Sequence, residues 1–119
     1  MAREDMAQKA ELNYLAAFYG GLLTDKQREV LSLHCEEDMS LSEIAEELGI
    51  SRQGVHESLA RSAGRMRDME EKLHLAALFR RKEDQLIACR EALVAGRYQE
   101  AQDLLDGIIR LEQEDEHGL

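Results

Sequence analysis

The sequence contains no proline and no tryptophan, and only 4 % of its 119 residues are aromatic. Without proline no helix interior is interrupted by a missing N–H, and with few β-branched, alternating stretches there is little to build a sheet from. No run of eighteen apolar residues exists, so a membrane-spanning helix is not expected. The N-terminal MAREDMAQKAE carries charges of both signs and no apolar stretch, which does not read as a signal peptide. Cysteine is scarce: Cys35 and Cys89 stand 54 residues apart with no CxxC pair, predicting reduced, structural thiols in a cytoplasmic protein. There is no glycine-rich phosphate loop, no HExxH and no nucleophile with a partnered base, so no catalytic residue, cofactor or metal site is expected. His56 and His74 are 18 residues apart, about 27 Å along one helix, too far to share an ion. The acid pairs Glu36-Glu37 and Glu46-Glu47 are adjacent on helices and splay apart instead of forming an acid/base dyad.

What the chain does have is alanine, leucine, glutamate, glutamine and arginine, the residues that lose least on entering a helix. Its length suits one compact all-α domain, or a small one with a helical extension. The formal charge is −10, unevenly spread. Residues 36–50 hold six acids and no base, residues 98–119 seven acids and one base, and only residues 51–82 are basic, with eight bases to four acids. That basic stretch is the one feature of the composition that suggests a polyanionic partner.

Periodicity and end signals divide the chain. Leu12, Leu15, Ala16, Tyr19, Leu22 and Leu23 recur at three and four, predicting an amphipathic helix over about 8–20 that packs on the core. Thr24 with Gln27, and Ser40 with Glu43, are capping boxes that open the second and third helices. Gly49 is placed to end the third in a left-handed conformation, and Ser51 to cap a fourth. Val55, Leu59, Ser62, Met66, Met69, Leu73 and Ala76 keep a heptad-like seam along that fourth helix, with a break expected near residues 79–84 and Gly64 marking a close helix approach. Ala95-Gly96-Arg97 turns the chain into a last helix bearing Tyr98, Ala101, Leu104, Leu105, Ile108 and Leu111. One such pair reads as a helical hairpin, not a repeat array. The final EQEDEHGL is polar enough to fray.

The centre, residues 24–67, has the parts of a helix-turn-helix. Ala45 is the small residue facing the partner helix, Gly49 with Ile50 the turn and its buried plug, and Val55 with Leu59 the inner face. Ser51, Arg52, Gln53, His56 and Arg61 are left pointing outward, and the early side chains of such a helix meet base edges in the major groove. Arg52 suits a guanine and Gln53 an adenine, while Arg61 or Arg65 suits a phosphate. These six are the candidate nucleic-acid-binding residues.

The order SLSEIAEELGISRQGVHESLARS resembles region four of bacterial sigma factors, which reads promoter DNA. It departs from that pattern at Gly54 and His56, where arginine is usual, and at Glu57 beside them. A wider resemblance, over about residues 11–80, is to the YlxM-type proteins of bacteria. Its marks are Asn13-Tyr14, Tyr19, Leu22-Leu23-Thr24, Gln27, Leu41, Glu43-Ile44-Ala45, Ser51-Arg52-Gln53, Val55 and Glu71-Lys72-Leu73. It implies an accessory or regulatory factor of the signal recognition particle pathway, with the particle's RNA, its GTPase or DNA as partner. The alternative is a protein-interaction module that kept the fold without reading DNA.

The organisation expected is thus an N-terminal helix over 1–23, the helix-turn-helix over 24–67 and a helical extension over 68–119. The seam outlasts what the motif can cover, and an open stripe of that length predicts a homodimer held by Met66, Met69, Leu73 and Phe79.

Overall fold

The computed structural model describes residues 2–118, with the side chains of residues 6–113. Among the described residues six helices follow one another: α1 (Ala2–Tyr19), α2 (Asp25–Cys35), α3 (Leu41–Leu48), α4 (Arg52–Leu73), α5 (Leu75–Val94) and α6 (Tyr98–Gly118). A single 3-10 turn, Gly20–Leu22, lies between α1 and α2. The described residues contain no strand, as the composition led one to expect. Two compact units divide the chain at His74 and Leu75, so the expected boundary at residue 68 falls inside α4.

In the first unit the chain stops and starts where its side chains can satisfy orphan backbone groups. Thr24 Oγ1 accepts the Gln27 N–H at 3.1 Å while the Thr24 N–H donates to Gln27 Oε1 at 3.0 Å. Ser40 and Glu43 repeat the exchange at 3.1 Å in both directions, and these bonds hold the Glu43 carboxyl below its ordinary range. Gly49 takes the left-handed conformation at φ 66°, which costs least without a Cβ. It lets the Ile50 N–H turn back to the Ala45 carbonyl at 3.0 Å, tucking Ile50 against the core. That core is Val30, Ile44 and Val55, one residue each from α2, α3 and α4, ringed by Leu33, Met39, Leu41, Ala45, Leu48, Ile50 and Leu59.

The first helix begins at Ala2, earlier than the apolar stripe indicated, because residues before the stripe are good helix formers. It buries Leu12, Leu15 and Tyr19 and packs on α4. The Tyr19 hydroxyl donates to Glu70 Oε1 at 2.6 Å, and Arg67 pairs with Glu11 at 3.3 Å. This contact corrects the expectation of an open seam. Met66 is fully buried, so it is no surface for a second chain to hold; Met69 is half-buried, and Leu73 and Phe79 are exposed.

The long helix also ends sooner than expected. Its break is at His74, in the left-handed region at φ 55° with its N–H on the Glu70 carbonyl at 2.8 Å, not within 79–84. Histidine enters that region more readily than β-branched residues do. The apolar spacing continues across the break through Leu73, Leu75 and Ala76, so periodicity could not mark it. Gly64 is no point of close approach either: it is exposed, and a Cβ there would meet nothing within 4 Å. Gly64→Ala should therefore gain about 1 kcal/mol from helix propensity alone, read as a higher urea midpoint. An unchanged or lower midpoint would mean that glycine is needed there.

In the second unit α5 and α6 form the expected hairpin, turned by Gly96 at φ 77°. Ala92, Ala101, Ile108 and Leu111 are buried, and Gly107 admits the Gln85 side chain, whose Nε2 would stand 3.3 Å from a Cβ. The fraying expected of residues 112–119 falls largely on side chains outside the described residues; the α6 backbone continues to Gly118.

Candidate nucleic-acid interface

The exposed start of α4 is built by three local features. Ser51 is extended, at φ −74° and ψ 155°, and its Oγ accepts the Gly54 N–H at 2.9 Å. The third helical position is glycine and returns no side-chain bond to the cap, so this is half of a capping box. A Cβ at Gly54 would stand 3.1 Å from Ser51 Oγ, which gives the glycine a role in keeping that cap. Val55 then anchors the helix in the core at full burial, fixing which side of α4 faces water.

All six candidate residues, Ser51, Arg52, Gln53, His56, Arg61 and Arg65, are exposed. They do not form one patch. At about 100° per residue, Gln53 lies near the middle of the outward face, directly opposite the side that buries Val55, Ser62 and Met66. Arg52 and His56 lie on one flank, Arg61 and Arg65 on the other, with Arg52 and Arg61 roughly half a turn apart. A helix in the major groove has its outward face toward base edges and its two flanks toward the two phosphate walls. Gln53 and the four flanking basic or imidazole side chains match that division.

Surroundings differ between the flanks. His56 lines a groove of about 650 Å³ with Lys9, Asp38, Glu43 and Arg67. Asp38, held in the left-handed region at φ 54°, is bonded to Lys9, which keeps its carboxyl below the ordinary range. That flank is of mixed charge. Arg61 lines a second groove with Lys26 and Gln27 from the start of α2 and with the acid Glu57. Among the described residues Arg52, Arg61 and Arg65 make no ion pair, whereas Arg67 is engaged by Glu11.

Two further residues modify the site. Glu57 stands beside Gln53 on the outward face, its Oε1 3.5 Å from Gln53 Nε2, so a base bound by Gln53 must displace this contact. Lys26 joins Arg61 across the α2–α4 packing, a pairing of residues 35 apart that no local pattern signals. On α3, Glu43, Glu46 and Glu47 border a shallow surface depression with Met39, an acidic edge where the first helix of such a motif crosses the phosphate backbone. Burial, only partly opposed by Lys9, raises the Cys35 thiol above its ordinary range, the reverse of what an activated nucleophile needs. Among the described residues no group of three or more metal-ligating side chains occurs, and no helix is long and apolar enough to cross a membrane.

Comparison with known proteins agrees with this geometry. The profile of the UPF0122 family, described as "Putative helix-turn-helix protein, YlxM / p13 like", matches residues 6–108. That reaches past residue 80, where the resemblance seen in the sequence stopped, and takes in α5 and half of α6. A UPF0122 protein of Halalkalibacterium halodurans is 44 % identical over 82 residues, covering 69 % of this chain and 75 % of its own. One from Anoxybacillus flavithermus is 36 % identical over 108 residues, covering 91 % and 97 %. Another, from Limosilactobacillus fermentum, is 38 % identical over 111 residues with the same two coverages. With the capped α3, the left-handed Gly49 and the exposed start of α4 in place, the chain belongs to the UPF0122 family of YlxM/p13-like helix-turn-helix proteins.

Proposed function

We propose that this protein is a regulatory factor of the cytoplasm that binds nucleic acid through the first half of α4, as an accessory component of the signal recognition particle pathway. The observation that carries the binding is the placement of Arg52, Arg61 and Arg65, exposed and without ion pairs among the described residues, around an outward Gln53. DNA and the particle's RNA are both substrates of the right charge, and the resemblance to YlxM-type proteins supplies the pathway. Two chains act together, which suits two half-sites. The reading involves no catalysis and no cofactor.

Binding through three arginines releases few counterions. The affinity for random duplex should fall with salt at a log–log slope of about −2.7, or about 40-fold between roughly 50 and 200 mM. Arg61→Ala with Arg65→Ala should flatten the slope by nearly two, and fluorescence anisotropy against labelled DNA and RNA measures both. Gln53→Ala should instead relax sequence preference by about 1–3 kcal/mol for the lost base contact. Salt-independent binding, or none, removes this reading.

A second reading is favoured by the acidic edge of α3. Glu43, Glu46 and Glu47 repel a phosphate backbone but suit a basic protein surface, as in a protein-interaction module that contacts the pathway's GTPase. In that case purified GTPase is retained by the protein, and Glu46→Lys with Glu47→Lys abolishes retention while leaving nucleic-acid binding no weaker.

A further inference from the structure

The hairpin of α5 and α6 has two helices and about 45 residues, too few elements to enclose a core on every side. One side of each helix faces the other, through Ala92, Ala101, Ile108 and Leu111. Beside that seam each helix keeps a second apolar stripe: Leu86 and Leu93 on α5, Leu105 and Ile109 on α6, each 46–52 % exposed. At about 100° per residue, both stripes lie roughly a quarter turn round from the seam, and the antiparallel run of the helices places them on the same side of the hairpin. An observed contact agrees. Lys82 and Glu112, which belong to these same two flanks, close an ion pair of 2.9 Å across that side. The two stripes therefore form one face.

We propose that this face is where a second copy of the chain docks, building a four-helix bundle from two hairpins. The proposal rests on the homodimer in the functional reading and moves its contact from the α4 seam to the hairpin. Charge selects the arrangement. On that side α5 carries Lys82 and Arg90 against the single acid Glu83, while α6 carries Asp106 and Glu112, its one base among residues 98–113, Arg110, lying about 40° further round than Asp106. Laying α5 on the second copy's α5 opposes like charges, whereas laying it on α6 pairs unlike ones. The second arrangement is a two-fold axis running along the helices, with every neighbouring helix antiparallel. Gln85 stands beside Gly107 within one hairpin, so the axis sets Leu86 level with Leu105 of the second copy. It also brings Leu75 of both chains to the same end of the bundle.

Size supports a second copy as occupant. With Tyr98 on the same side, these half-exposed side chains present on the order of 500 Å² of apolar surface, near the upper end of the roughly 300–600 Å² that the largest patch on a monomer reaches. Two such faces together approach the ~1,000 Å² that a specific interface should clear.

Sedimentation equilibrium of the full chain at micromolar concentration tests this. The wild type should run near twice its 13.5 kDa chain mass. Leu86→Glu and Leu105→Lys should each run at the single-chain mass, with helix content by circular dichroism unchanged. Mixing those two variants should restore the double mass, because the introduced carboxylate then faces the introduced ammonium. Should either lose helix content, Leu93→Ser reads the same face through at least tenfold weaker self-association. A wild type at the single-chain mass, as when residues 1–74 cover the face, overturns the proposal while leaving the salt titration of nucleic-acid binding to stand or fall separately. A dimer that these variants leave intact and Leu73→Glu splits overturns the face and keeps the dimer.

Discussion

Met66→Glu should abolish folding of residues 1–74, and not merely loosen an assembly. The Met66 side chain is 0 % exposed, on the side of α4 that also buries Val55, Ser62 and Ala63 and against which α1 packs. A carboxylate there loses its hydration at an effective cost of several kcal/mol, a large share of the roughly 5–15 kcal/mol that holds a domain together. Leu73, seven residues on, is 42 % exposed. Leu73→Glu should therefore change stability by no more than about 0.5 kcal/mol. Amide hydrogen exchange at Val30, Ile44 and Val55 separates the two: protection vanishes in the first variant and persists in the second. Protected amides in Met66→Glu would mean that α1 does not cover this part of α4.

Ile44→Ala is expected to be the next most damaging change. The helix-turn-helix core has three fully buried side chains, Val30, Ile44 and Val55, and Ile44 is the one that ties the eight-residue α3 to both neighbours. A helix of two turns has no stability of its own, so its position depends on that contact. Removing three carbons from a sealed site costs about 2–5 kcal/mol, which at a urea dependence of about 1–3 kcal/mol per molar lowers the midpoint by roughly 0.7–5 M. Leu48→Ala, at a half-buried position of the same helix, should cost less. Equal losses at the two positions would contradict the burial difference. Because α3 positions Gly49 and the start of α4, Ile44→Ala should also weaken nucleic-acid binding in proportion to the fraction unfolded.

The expectations that held concern groups that interact within a few residues of one another. Thr24 with Gln27, and Ser40 with Glu43, exchange hydrogen bonds across three residues, and Gly49 takes the one conformation its missing Cβ makes inexpensive. The outward orientation of Ser51, Arg52, Gln53 and His56 followed from helical phase once Val55 was placed inside. The expectations that failed depend on which distant element lies over a surface. Periodicity marks Met66 as apolar-facing but does not say whether α1 or a second chain covers it. It passes through His74 unchanged, because both sides of the break are apolar.

The amino-acid sequence by itself determined that the chain is helical, where α2, α3 and α4 begin, and that a helix-turn-helix lies at its centre. Those outcomes rest on backbone propensity, capping and local phase, whose interactions span three or four residues. Only the tertiary structure decided that α1 closes over Met66, that the chain divides at His74, and that Arg61 shares its flank with Lys26 while His56 faces Asp38 and Glu43. These depend on contacts between residues tens of positions apart, whose energies come from shape and burial that no local spacing encodes.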